Sequence, residues 1–327
     1  MKQRAAEQWL VEEGWRPEVA HGLAPWLSGA ADEVERPVAV FDFDNTLIFG
    51  DIGELYGQYL VDEVRYRYDL EAFWDLVAVE DGRDGLRELA QAIASTPPER
   101  REEHPLFEAY RRQMSGLYQR RFERLGRRDC YEWAVKLHVG ISEAEMVRWS
   151  REAIVEELRR AQYAESMGTA DGETPTVRRG IRVIRQMRGV MERLRQQGYE
   201  VWIVSASNWW TVSAVAPLFG VAENRVLGNR VEVDDQGRLT ARRKGPALFR
   251  EGKVAIIEEK IGGAPHLAMG DAITDKEMLE MALGEAVLID RGDAAMREAA
   301  KTNRWLVQGQ SELEGIVPRI PWKEEGL

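Results

Sequence analysis

Two aspartates one residue apart, Asp42 and Asp44, follow the apolar run Val38-Ala-Val-Phe41, and Asn45 and Thr46 come directly after them. The run has the composition of a strand buried on both faces. Carboxylates are almost never buried without partners, so a buried strand ending in two of them is not a packing device. In an open parallel sheet, that end is where ligands bind. Two carboxylates on such a loop point to a Mg²⁺ site with a nucleophile beside an acid/base.

Three further segments carry residues of the same kind. The run Glu200-Val-Trp-Ile-Val-Ser-Ala-Ser-Asn208 reads as a second apolar strand, entered from a helix that closes at Gly198. The Ser205 hydroxyl and the N–H of Ala206 can donate to a phosphate oxygen there; Ser207 or Asn208 can equally cap the next helix. In 252–261, apolar residues at 254, 256, 257 and 261 suit a helix with one buried face. Lys253 lies in its first turn, where the helix dipole disfavours a cation, and a bound anion would explain it. In 267–275 a short strand runs into Gly270, followed by Asp271 and Asp275. The glycine permits a tight turn, and the carboxylates can supply a further metal ligand and a partner behind it. One of them can also cap a helix.

These four segments, in this order, resemble the motifs of the haloacid dehalogenase superfamily of phosphatases: Asp42-x-Asp44-x-Thr46, Ser205, Lys253 and Gly270-Asp271-x-x-Thr274-Asp275. The likeness covers 36–51 and 176–290. A long insert after the first motif, and the run Gly50-Asp-Ile-Gly-Glu54, are similar to the helical-cap group that includes phosphoserine phosphatase and phosphocholine phosphatase-like enzymes. The resemblance implies an α/β fold, a doubly wound parallel sheet with an inserted all-helical cap. The expected division is 1–35 as N-terminal helices packed on the core, 52–175 as the cap, and 36–51 with 176–327 as a Rossmann-like catalytic core.

The resemblance also implies a mechanism. Asp42 would attack a phosphomonoester and form an aspartyl-phosphate. Asp44 would protonate the leaving oxygen and then deprotonate water. Ser205 and Lys253 would hold phosphate oxygens, with Asn45 and Ala206 lining the substrate. Mg²⁺ would be held by Asp42, the Asp44 backbone carbonyl and Asp271, with Asp275 orienting Lys253 or a metal-bound water. Thr274 stands where the group usually has asparagine. Dehalogenases lack an aspartate at the position of Asp44 and P-type ATPases carry threonine, so Asp44 favours phosphatase chemistry.

For the substrate, Asp51 falls where phosphoserine phosphatases carry a glutamate that binds the substrate amine. Trp209 and Trp210 could face a quaternary ammonium, or simply pack. The expected substrate is a small phosphometabolite, amine-bearing (phosphoserine, phosphoethanolamine or phosphocholine). Phosphosugar hydrolysis, phosphotransfer to an alcohol and a non-catalytic binding role stand as alternatives. An Asp51 that caps the first cap helix would bear on stability and not on the substrate.

The remaining composition sets bounds. The chain has 327 residues, enough for one large domain or two modest ones, and 44% hydrophobic content. No stretch approaches the length of a membrane span, and the N-terminus has no signal-type apolar core. Cys130 is the only cysteine and the histidines number four, so neither a disulfide nor a zinc site of those residues is expected. Cytoplasmic location follows as the default. A net charge of −11 disfavours a nucleic-acid partner. Oligomeric state is open. Arginines concentrate in 111–128 and 178–195, where they read as solvated helix faces laced with i,i+4 pairs.

The elements that must position these residues follow from periodicity. Amphipathic helices are expected in 5–30, with Trp9, Leu10, Trp15, Leu23 and Trp26 inward. Cap helices are expected at 54–70, 84–94, 105–125, 129–139 and 142–163, with Ser142 and Glu145 as a capping box and Pro97-Pro98 as a break. A polar linker, 168–176, returns to a helix at 181–197, the strand at 200–205, a hairpin of 226–233 with 238–243, and strands at 266–269 and 286–289.

Overall fold

The computed structural model describes residues 2–29, 35–167 and 175–322. The expected linker 168–176 lies outside them apart from its last two residues. The chain opens with α1 (Lys2–Glu12) and α2 (Pro17–Leu23), then β1 (Val38–Phe41) and β2 (Ile48–Phe49). Six helices follow: α3 (Ile52–Asp62), α4 (Glu71–Trp74), α5 (Arg83–Ala94), α6 (Phe107–Leu125), α7 (Arg127–Ala134) and α8 (Glu143–Arg159). Next come β3 (Tyr163–Ser166), β4 (Thr176–Arg179), β5 (Arg182–Ile184), α9 (Arg185–Gln196), β6 (Glu200–Asn208) and α10 (Trp209–Val215). The last part holds β7 (Val226–Val233), β8 (Leu239–Lys244), α11 (Glu251–Ile261), β9 (Leu267–Gly270), α12 (Lys276–Glu280), β10 (Glu285–Asp290), α13 (Ala294–Asn303), β11 (Leu306–Gly309) and β12 (Gly315–Ile316). No helix among the described residues is long and apolar enough to cross a membrane.

Two compact units emerge. The first comprises Met1–Asp51, Ile181–Gly228 and Pro246–Leu327; the second comprises Ile52–Gly180 and Asn229–Gly245. The first unit is an α/β core whose sheet runs β11-β10-β9-β1-β6-β7. β1 pairs in parallel with β6 on one side and β9 on the other, and β10 pairs in parallel with β9 and β11. All four residues of β1 and of β9 are buried, which is why both read as unbroken apolar runs. Val38, Val40, Trp202, Val204 and Leu288 share one face with Ile257, Met278 and Met296 of α11, α12 and α13. By alternation, Ala39 and Phe41 belong to the other face. β6, the next strand of this sheet along the chain, lies on one side of β1, whereas β9 returns on β1's opposite side, so a crevice opens at the C-terminal ends of these strands.

A second small sheet, β12-β5-β2, is antiparallel and was not anticipated. Its strands are two or three residues long, too short to show a period.

The second unit is mainly helical. Its α8 begins with the expected capping box: the Glu145 N–H donates to Ser142 Oγ at 3.2 Å and the Ser142 N–H to Glu145 Oε2 at 2.9 Å. It also holds strand, unlike the expected all-helical insert. β3 pairs with β4, and the 229–245 hairpin, assigned from sequence to the core, groups here. That hairpin is held by Gly140 N–H to Leu239 O (2.7 Å), Leu239 N–H to Ile141 O (2.9 Å) and the Arg243–Glu132 pair. The arginine-rich segments also differ from expectation. Arg111 and Arg124 pair with the distant Asp62 and Asp81, and Arg179 is buried among Asp62, Glu157 and Glu165. These are tertiary ion pairs, whose partners satisfy charges that burial would otherwise penalise.

Candidate active site

Four elements of the first unit converge on one cluster. Asp42 follows β1, and its N–H still donates to Met269 O of β9 at 2.9 Å, which fixes where the strand ends. The chain then turns sharply. Asn45 adopts a left-handed backbone with φ +58°, and its N–H reaches Gly50 O at 3.0 Å. Ser205 lies within β6, which continues to Asn208 and does not stop at Ser205 as the sequence reading has it. Lys253 is in the first turn of α11. Gly252 before it is obligatory, because a Cβ there would lie 1.6 Å from Ala247 O. Gly270 ends β9, and a Cβ on it would stand 2.7 Å from Asp275 Cβ, so only glycine lets the Asp275 side chain lie across the strand end.

Lys253 is fully buried and spends its three donors on Asp275 Oδ1 (2.6 Å), Asp42 Oδ1 (2.7 Å) and Val204 O (2.8 Å). The cation at a helix start is therefore explained by carboxylates of the chain itself, not by a bound anion. Burial alone would lower its pKa, but Asp275 and Asp42 outweigh that and raise it. The other oxygen of Asp275 accepts from the N–H groups of Asp271 (3.1 Å) and Ala272 (3.0 Å). Asp275 thus holds Lys253 and the motif turn together. Asp271 is paired with Arg291 at 2.8 Å, a residue the sequence gave no reason to single out.

The Asp44 side chain goes elsewhere. Its Oδ2 accepts from Ser207 Oγ at 2.7 Å and from Ser205 Oγ at 3.3 Å, while the Ser207 N–H donates to Ser205 Oγ at 3.0 Å. Of the two cap candidates, Asn208 takes the role, accepting from Thr211 N at 2.8 Å, and Ser207 reaches Asp44 instead. Trp210 is fully buried and packs edge-on against Trp209, so its ring is core and does not face a ligand. Trp209 is half-buried and donates to Val226 O at 3.0 Å. Ala206 and Asn45 are half-buried beside the cluster's loops, as is Asp51, which has an interaction of its own. Thr274 is buried, with its hydroxyl 3.4 Å from Asp275 Oδ1.

Asp42, Asp271 and Asp275 bring carboxylate oxygens within 4.8 Å of one another, all three residues buried. Against these three negative charges stand Lys253 and Arg291. Burial, then Asp275, push Asp42 up to about 7 despite Lys253; burial, Asp42 and Asp275 likewise hold Asp271 well above the usual carboxylate range. Hard oxygen donors with excess negative charge are the donor set that a divalent cation such as Mg²⁺ takes. Asp42 and Asp271 suit a ligand role, because both oxygens of Asp275 are already engaged.

The shift has a measurable consequence. Without metal, between about pH 4 and pH 7, the folded chain keeps a proton on Asp42 that the unfolded chain has released. The stability tied to that proton is present below about pH 4 and erodes as pH rises to about 7. Mg²⁺ binding requires the proton to leave, so the melting-temperature gain on adding Mg²⁺ should grow across that window. An equal gain at both ends would disprove it.

Residues 122–280 match the family model of haloacid dehalogenase-like hydrolases. That segment omits β1, the strand that carries Asp42. No curated protein matches the chain in sequence. Among solved structures, a functionally unknown protein from Anaerococcus prevotii superposes with a TM-score of 0.77 at 21% identity, covering 90% of this chain and 92% of that one. One of unknown function from Bordetella pertussis gives 0.55 at 20%, covering 84% and 99%. A cytosolic 5′-nucleotidase IIIB bound to cytidine gives 0.50 at 14%, covering 95% and 93%. These likenesses concern the fold.

Proposed function

We propose that this chain, whose residues 122–280 match the family model of haloacid dehalogenase-like hydrolases, is a Mg²⁺-dependent phosphomonoester hydrolase that works through an aspartyl-phosphate. The observation that carries the reading is the division of labour between two carboxylates one residue apart. Asp42 is held by Lys253 in the buried acidic cluster, and Asp44 is turned away toward two serine hydroxyls.

Asp42 attacks phosphorus and the bond to the leaving oxygen breaks. Lys253 keeps the attacking group oriented and offsets charge on the phosphoryl oxygens. Asp44, fixed by Ser207 and Ser205, gives its proton to the leaving oxygen. It then takes a proton from the water that cleaves the acyl phosphate, which releases inorganic phosphate and regenerates the Asp42 carboxylate and the protonated Asp44. Asp42 and Asp271, with the Asp44 carbonyl, would hold Mg²⁺. When bound, Mg²⁺ offsets the repulsion between an anionic nucleophile and an anionic phosphate.

The substrate class we assign is a small amine-bearing phosphomonoester, on the carboxylate of Asp51 at the end of the catalytic loop. The test is a phosphatase screen of phosphoserine, phosphoethanolamine, phosphocholine, sugar phosphates and a nucleoside 5′-monophosphate, the last because a 5′-nucleotidase shares the fold. Activity should vanish with EDTA and return with Mg²⁺, and Ca²⁺ should inhibit, since its looser shell misaligns Asp42. Amine substrates should exceed sugar phosphates in kcat/KM. Full activity after exhaustive chelation refutes the metal; preference for sugar phosphates or nucleotides refutes the amine.

A further inference from the structure

The catalytic loop, 42–50, is fastened both within itself and to the strands around it. The Asp42 N–H bonds to Met269 O, Leu47 N–H to Phe43 O (2.9 Å), and Ile184 N–H to Leu47 O (2.9 Å); β2 then pairs with β5. The crest of the turn is Asn45, in a conformation that a non-glycine residue adopts at a cost. Its carbonyl accepts a 2.6 Å hydrogen bond from Gln310 Nε2, 265 residues further along the chain.

Gln310 sits in a rigid setting. It begins a 3-10 turn, Gln310–Glu312, that leaves β11 through the buried Gly309. Glu312, two residues on, receives Arg16 Nε at 2.8 Å and Gln308 Nε2 at 3.0 Å, and Gln308 Oε1 accepts from the Arg16 N–H at 2.9 Å. Beyond the turn, Glu314 pairs with Arg185 (2.7 Å), its N–H donates to Gln186 Oε1 (3.0 Å), and β12 joins β5. The C-terminal segment is thus fastened to the start of α2 and to α9 on both sides of one side chain that reaches back to the turn between Asp44 and Thr46.

We propose that Gln310 is a positioning residue: its amide pins the Asn45 carbonyl and thereby sets the direction in which the loop presents Asp42 and Asp44. The catalytic half of this inference rests on the phosphatase reading; the mechanical half does not. Gln310 touches no reacting atom, and water can replace its bond at the half-exposed Asn45, so its loss loosens geometry and leaves the fold standing.

The experiment compares Gln310→Ala, Gln310→Glu and Gln310→Lys in the full chain. Glutamate keeps the shape but has no donor when ionised; lysine restores one. Hydrogen exchange at amides 43–50 should quicken by about 10-fold or more in the Ala and Glu variants and recover in part with Lys. With an aryl phosphate and saturating Mg²⁺, kcat should fall about 10- to 100-fold in the same two variants while KM changes by less than about 3-fold. Melting temperature should stay within about 2 °C. Unchanged loop exchange in Gln310→Ala overturns the proposal, as does a Glu variant with wild-type exchange and kcat. A wild-type chain that hydrolyses no phosphomonoester overturns the catalytic half, and the exchange comparison then decides whether Gln310 holds the loop.

Discussion

Asp42→Asn should lose turnover by roughly 10⁴-fold or more, the scale on which removing a nucleophile acts, and yet fold. An amide cannot attack phosphorus and its nitrogen carries no charge to share. Its carbonyl oxygen can still accept from Lys253 Nζ, which now lies 2.7 Å from Asp42 Oδ1. The variant also removes one of three buried carboxylates, one whose pKa burial already pushes up to about 7. In chelator near pH 8 its melting temperature should therefore equal or exceed that of the wild type. Steady-state turnover of an aryl phosphate, measured beside a thermal melt, checks both. A folded Asp42→Asn protein within about 10-fold of wild-type turnover would sink the mechanism.

Lys253→Met should do the larger structural damage. The ammonium is fully buried and joins Asp42, Asp275 and Val204 O, so methionine leaves two carboxylates facing each other without a cation. Breaking a buried pair by removing one partner typically costs about 3–5 kcal/mol. In a chain of this size that amounts to a fall of about 4–7 °C in melting temperature. Mg²⁺ should recover part of the loss by restoring positive charge, so the deficit should be larger in EDTA. Turnover should fall as well, because Asp42 becomes harder to ionise. A variant that melts within about 2 °C of wild type in EDTA would show that Lys253 is not the counter-ion of this cluster.

The elements that carry the cluster were legible because each strand announces itself by an apolar run that stops at a polar, chemistry-bearing residue. β1 stops at Asp42 and β9 at Gly270-Asp271. Side chains that serve the cluster from outside such runs were not legible. Arg291 and Gln310 lie in stretches with no local pattern, and only the fold brings them to Asp271 and Asn45. Ser207 was visible but ambiguous, since serine before a helix is a cap signal. Lys253 was seen, but its partners are 22 and 211 residues away, so a bound anion looked like the simpler account. For the Trp pair both readings stay open in the sequence, which cannot say which of two adjacent aromatic rings points inward; Trp210 does. Strand pairs in the insert were missed because they are short and partly polar, as in Tyr163–Ser166 and Thr176–Arg179.

The place of β1 between β6 and β9 also bears on how the chain is made. Val38–Phe41 leaves the ribosome well before its partners, since Glu200, the first of them, lies 159 residues after Phe41. At bacterial or eukaryotic synthesis speeds that is roughly 8 to 30 s during which four wholly apolar residues have no sheet to join. The helical segment 52–180 is complete before β6 emerges and can collapse on its own contacts in that interval. The aspartate pair that follows β1 then acts as a charged gatekeeper against mispairing of nascent chains. Soluble yield should accordingly respond to growth temperature and chaperone supply more than to the stability of the finished protein, because the hazard is set by waiting time.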